Sequence, residues 1–146
     1  MSKLPFFHLV KESSFKDKPS PLLVMVHGYG SNEEDLFSFA RALPSELTII
    51  SIRGPISVLG MGYAWYDISF DSFGNKTYNQ SQAIKSRDKI IECIDLCVET
   101  YNIDNKNISL MGFSQGAILI NAIAITYPKK VKNIISLSGG IDPNIL

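Results

Sequence analysis

The chain is short of the residues that build metal and disulfide frameworks: two cysteines, two histidines and one tryptophan in 146 residues. Cys93 and Cys97 stand four apart in a segment with helical spacing. They would share one helix face, a poor geometry for a disulfide. No histidine or third cysteine accompanies them, so a zinc site is not expected, and no other cofactor motif is present. Both read as small buried hydrophobes in a reducing, cytoplasmic setting. Neither sign of charge prevails: 14 Lys and Arg oppose 14 Asp and Glu, without a basic run. This removes the electrostatic case for nucleic acid or an anionic membrane as partner. No run approaches the ~18 apolar residues of a membrane span. The longest candidate, 117–127, is broken by Asn121. Residues 1–15 lack the apolar core and cleavage site of a signal peptide. Repeats and low-complexity tracts are also lacking.

What remains is the ordinary balance of a folded domain, 45% hydrophobic and 19% charged. Residues 5–12 read as a first strand. After a polar turn with two prolines, the apolar run 22–26 has the character of a strand buried on both faces. It ends at His27-Gly28-Tyr29-Gly30. Ser31 and Glu34 have capping-box spacing, which predicts a helix that carries Leu36, Phe37, Phe39, Ala40 and Leu43 inward and stops at Pro44. Residues 47–52 form the next buried strand. Residues 55–79 show no period and read as a long functional loop. A helix is predicted over 80–101, a polar turn over 102–107 and a third buried strand over 108–111. An apolar helix over 115–127 follows, then a fourth strand over 131–137. This alternation predicts an α/β fold: a mostly parallel sheet with helices on both faces. Ligands in such sheets sit at the carboxyl ends of the strands. The segments 28–30, 54–55, 114 and 138–140 all follow strand ends, so they should form one site.

The third strand runs directly into Gly112-Phe113-Ser114-Gln115-Gly116. Gly-x-Ser-x-Gly between a strand and a helix places a serine nucleophile on a sharp turn. Gly112 and Gly116 permit the turn and the close approach of helix to strand. A second backbone N–H for an oxyanion hole comes from an earlier strand–helix loop. Gly28 and Gly30 flank Tyr29 there, so Tyr29 and Gln115 are the expected donors. The alternative for Gly28-Tyr29-Gly30 is a dinucleotide fingerprint. Glu33 stands where its third glycine should be, and Glu33, Glu34 and Asp35 would repel a pyrophosphate. His27 precedes the oxyanion loop and is read as its support rather than as the base. His8, in the first strand, is structural or exposed.

HGYGSNEEDLFSFA, the Arg53-Gly54-Pro55 turn, YAWYD at 63–67, GFSQGA at 112–117 and SLSGG at 136–140 occur in that order. Together they resemble the phospholipase/carboxylesterase family of α/β-hydrolases, which includes the acyl-protein thioesterases and small bacterial carboxylesterases. The resemblance implies an α/β-hydrolase fold, Ser114 as nucleophile, and oxyanion N–H groups from Tyr29 and Gln115. It implies that the 55–80 loop, with Trp65 and Tyr66, borders an acyl pocket for a small-molecule ester; Phe113 is grouped with them at the substrate. The residues alone leave open whether the two aromatics line a pocket or merely pack.

In that family the catalytic acid and histidine follow the serine. No histidine follows Ser114 here, and the only later acid, Asp142, comes too early to match. Residues 1–146 are therefore expected to be the N-terminal two-thirds of one such domain. Alone, they should be a very weak hydrolase, or else a non-catalytic acyl-binding remnant. The fourth strand would become an exposed sheet edge through which the chain could self-associate.

Overall fold

The computed structural model describes residues 3–146. A five-stranded sheet forms its centre. Its strands are β1 (His8–Lys11), β2 (Ser20–Val26), β3 (Thr48–Ile52), β8 (Ile103–Phe113) and β9 (Asn133–Leu137), in the order β1-β3-β2-β8-β9. All neighbours are parallel except β1, which runs antiparallel along β3 at one edge. Between β3 and β8 lie two hairpins and a long helix. The hairpins pair β4 (Ile56–Val58) with β5 (Gly62–Ala64) and β6 (Ile68–Phe70) with β7 (Lys76–Tyr78). The helices are α1 (Glu34–Phe37), α2 (Gln80–Thr100) and α3 (Gln115–Thr126).

Because strand side chains alternate between faces, β2 feeds two cores. Leu22, Val24 and Val26 point into the larger one, with Ile50, Ile52 and Leu110 and the buried faces of α2 and α3. Leu23 and Met25 point the other way, onto Ile49, Met111, Leu36 and Ala40. A strand that must be apolar on both faces reads as an unbroken run. α2 buries Ala83, Ser86, Ile90, Cys93, Ile94 and Cys97 along one stripe, and Asn79 caps it by accepting the Gln82 N–H. It ends where Asn102 takes a left-handed backbone, φ 50°, a conformation that asparagine tolerates. Cys93 and Cys97 are free and buried.

Three sequence expectations need correction. The capped helix from Ser31 does not form. α1 is a single turn, followed by a 3-10 turn over Ala40–Ala42, and Phe39 faces solvent. The Glu33 carbonyl, which a regular helix would use, accepts the Ser51 hydroxyl at 2.6 Å instead, and Ser31 Oγ donates to Asp35. The 55–79 segment is not a plain loop: its strands are three residues each, too short to show alternation. Of the polar stretch 102–107, only Asn102 is a turn; residues 103–107 lie within β8, where the pairing is irregular between Ser20–Ile103 and Leu22–Ile108. There the Asp104 carboxylate accepts hydrogen bonds from the Lys106 N–H and the Asn107 Nδ2.

Candidate active site

β8 delivers the chain to Ser114 at the carboxyl edge of the sheet, and α3 starts at the next residue. Ser114 adopts φ 53°, ψ −111°, a backbone state costly for a side chain with a Cβ. Two bonds hold it: its N–H donates across the sheet to the Leu137 carbonyl at 2.8 Å, and its own carbonyl accepts the Ile118 N–H at 3.0 Å as the first bond of α3. The flanking glycines are sterically required. A Cβ on Gly112 would stand 2.7 Å from the Gly116 carbonyl, and one on Gly116 would collide with the Val26 carbonyl.

A cavity of about 150 Å³ opens beside Ser114. Tyr29, Tyr66, Gln115 and Ile118 line it with the serine. Ile68, Lys76 and Tyr78 of the second hairpin and Asp142 close its far side. The Tyr78 hydroxyl donates to Asp142 Oδ2. Burial, then the neighbouring Tyr78 and Asp142, push the Tyr66 hydroxyl up to about 12, so it is a neutral donor at pH 7. The Gln115 N–H, at the first position of α3, has no intrahelical acceptor. It points from the positive end of the helix dipole.

The loop that carries Tyr29 is fixed from three sides. His27 is buried, with Nδ1 2.7 Å from the Gly28 carbonyl and Nε2 accepting the Gly54 N–H at 2.9 Å. This pair of partners requires the neutral tautomer protonated on Nδ1, and burial lowers the ring pKa accordingly. Gly30, at φ 78°, donates to the Tyr63 carbonyl, while the Tyr63 N–H reaches Ser31. Glu33 and Arg53 form a bidentate pair at 2.7 and 2.8 Å. The guanidinium is sandwiched between Phe7 and Tyr63, and it holds the Glu33 carboxyl below its usual range.

Ser114, Tyr29, Gln115 and Tyr66 thus meet at one cavity. Trp65 does not reach it. Its side chain is wholly enclosed, its indole N–H donates to the His27 carbonyl at 2.7 Å, and its ring packs on His27 and Phe6. Phe113 lies outside the cavity, partly exposed, above Gly28, where a Cβ would be 3.0 Å from its ring. Gly28 is therefore small because Phe113 crosses it. His8 sits in β1, three strands from β8, with Nδ1 bonded to the Phe6 carbonyl.

Lys76 and Tyr78 were not singled out in the sequence, and Asp142 was weighed only as a catalytic acid, not as a cavity residue. Tyr78 and Lys76 carry no local signal, but Ile118 could have been found, being one turn beyond Ser114 on the same helix face. Among the described residues no cluster of three His, Cys, Asp or Glu could hold a metal, and no helix is long and apolar enough to cross a membrane.

Several known proteins are similar to this chain. A carboxylesterase of Bacillus cereus has 25% identity and a TM-score of 0.70, and the match covers 89% of this chain and 58% of that one. Acyl-protein thioesterase 2 of Zea mays, at 18% identity and a TM-score of 0.65, shares the fold over 93% of this chain and 63% of its own. An uncharacterized hydrolase of Mycosarcoma maydis is 26% identical over 95% of this chain and 55% of its own length. The chain thus spans little more than half of these two hydrolytic relatives. The sequence model of the Phospholipase/Carboxylesterase family matches residues 10–145. With its α/β-hydrolase sheet and the serine turn at the sheet's carboxyl edge, the chain belongs to the phospholipase/carboxylesterase family.

Proposed function

We propose that the chain is the nucleophile-bearing part of a serine hydrolase that cleaves carboxylic or thio esters of small molecules through an acyl-enzyme. The observation that carries this reading is the backbone of Ser114. A non-glycine residue held at φ 53° by bonds to Leu137 and Ile118, at the mouth of a cavity, stores strain where a nucleophile needs exposure. The Ser114 oxygen would form a bond to the acyl carbon. The carbonyl oxygen would take the negative charge, facing the N–H groups of Tyr29 and Gln115 and the positive end of α3. The alcohol or thiol would leave with a proton, and water would then release the acid.

The proton of Ser114 needs an acceptor, and neither histidine of the chain supplies it. His27 uses both ring nitrogens on backbone groups. His8 is three strands away, about 14 Å at the usual strand spacing. We propose that the base and its acid come from polypeptide outside these 146 residues. In subtilisin, loss of the histidine alone costs ~10⁶ in turnover. The chain alone is thus expected to hydrolyse p-nitrophenyl acetate very slowly, and added imidazole should accelerate it by standing in as base. The acceleration in excess of what imidazole gives without protein should vanish in Ser114→Ala. Fast hydrolysis that Ser114→Ala leaves intact would refute this function. So would an imidazole effect equal in both proteins.

A further inference from the structure

The residue after the nucleophile needs only its backbone N–H to serve an oxyanion, yet position 115 carries a buried carboxamide. A leucine would fill the space without the cost of desolvating an amide. The Gln115 side chain is fully engaged: Oε1 accepts the Trp65 N–H at 2.7 Å, and Nε2 donates to the Tyr66 carbonyl at 2.9 Å. Trp65 then reaches the other half of the site, its indole N–H donating to the His27 carbonyl at 2.7 Å. His27 in turn fixes the Gly28 carbonyl, one residue before Tyr29. A continuous buried chain of hydrogen bonds therefore runs from the start of α3 to the loop after β2. Its two ends carry the two N–H groups assigned to the oxyanion.

We propose that the Gln115 carboxamide and Trp65 are positioning residues that set the separation of the Tyr29 and Gln115 N–H groups. This rests on the ester-hydrolase reading above, because the strut matters catalytically only if those two groups face an oxyanion. The same bonds tie the Tyr66 carbonyl to α3, so the strut also fixes the cavity wall. Removing it would let the loop after β2 drift from the helix. A displacement of about 1 Å can cost ~10²-fold in rate.

The test uses Gln115→Leu and the near-isosteric Gln115→Glu, with imidazole-assisted hydrolysis of p-nitrophenyl acetate and amide NMR. The chain has one tryptophan, so one indole N–H resonance reports the Trp65–His27 bond without ambiguity. In Gln115→Leu we expect turnover at saturating ester to fall ~10–100-fold with KM changed by less than about threefold. The Trp65 indole and Tyr29 amide resonances should shift. In Gln115→Glu the ionised carboxylate cannot donate to Tyr66, but the protonated acid can donate there and still accept from Trp65. A buried glutamate protonates above its ordinary pKa. Turnover relative to the unsubstituted chain should therefore recover as pH falls from 8 to 6, together with the indole resonance. His27, Asp142, Lys76, Tyr29, Tyr66 and Tyr78 surround the site in both proteins, so the quantity read is the ratio of the two turnovers at each pH.

Folded Gln115→Leu with unchanged turnover, or with an unmoved Tyr29 amide, would overturn the strut. A Gln115→Glu ratio independent of pH would do the same. If the unsubstituted chain shows no imidazole-assisted hydrolysis above Ser114→Ala, the ester-hydrolase reading fails instead. The Tyr29 amide in Gln115→Leu then decides alone: shifted, it upholds the strut; unmoved, it removes it.

Discussion

At the scale of single residues, His27 shows how position decides chemistry. A histidine beside a serine nucleophile invites the role of base, but its two backbone partners leave no nitrogen free to take a proton. Protonation would turn the Nε2 acceptor into a second donor facing the Gly54 N–H. Burial is the main cause that places the folded pKa below the ordinary 6.5. The unfolded chain then binds more protons than the folded one between the folded value and about 6.5. Stability is constant above that window and falls on acidification through it, by up to about 1.4 kcal/mol per pH unit. Urea unfolding at pH 7, 6 and 5 should show this fall, and His27→Gln should flatten it. Equal slopes in the two proteins would mean that His27 is not the group titrating. The depressed pKa of Glu33 acts in a separate range: its stabilisation is present above the ordinary carboxylate pKa and is lost only at lower pH. The placement of His27 ahead of a glycine-flanked loop could be read from sequence. Its two partners could not, because Gly54 is 27 residues away and meets it only when β2 and β3 pair.

At the scale of elements, the site is a crossing of β2, β8 and α3, and the glycines measure how close the crossing is. Gly116 lies against the carbonyls of Val26 and His27, at the end of β2. A methyl group there must push α3 off the sheet, since the obstacles are backbone oxygens and not flexible side chains. We expect Gly116→Ala to destabilise the chain by about 3 kcal/mol, at the upper end for overpacking, measured by denaturant unfolding. A cost below about 0.5 kcal/mol would show that α3 can move freely. Elements with long unbroken patterns were legible in the sequence: β2 and β3 as apolar runs, α2 as a 21-residue stripe, and the β8–Ser114–α3 turn as a motif. Those shaped by distant partners were not. The helix after β2 is cut short because Glu33 answers to Ser51 and Arg53. Trp65 is drawn inside by His27 and Gln115 and is thus kept from the cavity it was expected to border.

At the scale of the whole molecule, the two margins of the sheet differ: β1 is half-buried and β9 is exposed throughout. Parallel strands are normally buried on both faces, and β2, β3 and the end of β8 are. β9 is not: all five of its residues are exposed, with Ile134 at 38%, Ile135 at 41% and Leu137 at 38%. Ile134 and Ile135 project to opposite faces, so the strand is apolar on both sides, and its outer edge has no neighbouring strand among the described residues. An edge of this kind pairs readily with another chain, because unpaired N–H and C=O groups and apolar side chains find partners in one step. Nothing blunts it within the strand, which holds no charge and no proline. We therefore predict that the 146-residue chain self-associates as its concentration rises, with a mass by light scattering above that of the 16.2 kDa monomer. Ile135→Lys places a charge on that strand without touching the Ser114 turn, and it should move the population toward monomer. It should leave the imidazole-assisted ester rate per chain unchanged, because the bond from β9 to the serine is made by the Leu137 carbonyl, two residues from Ile135. A chain that stays monomeric over the whole range would show that the β9 edge is protected in solution. An oligomer that Ile135→Lys does not weaken would place the contact on another surface.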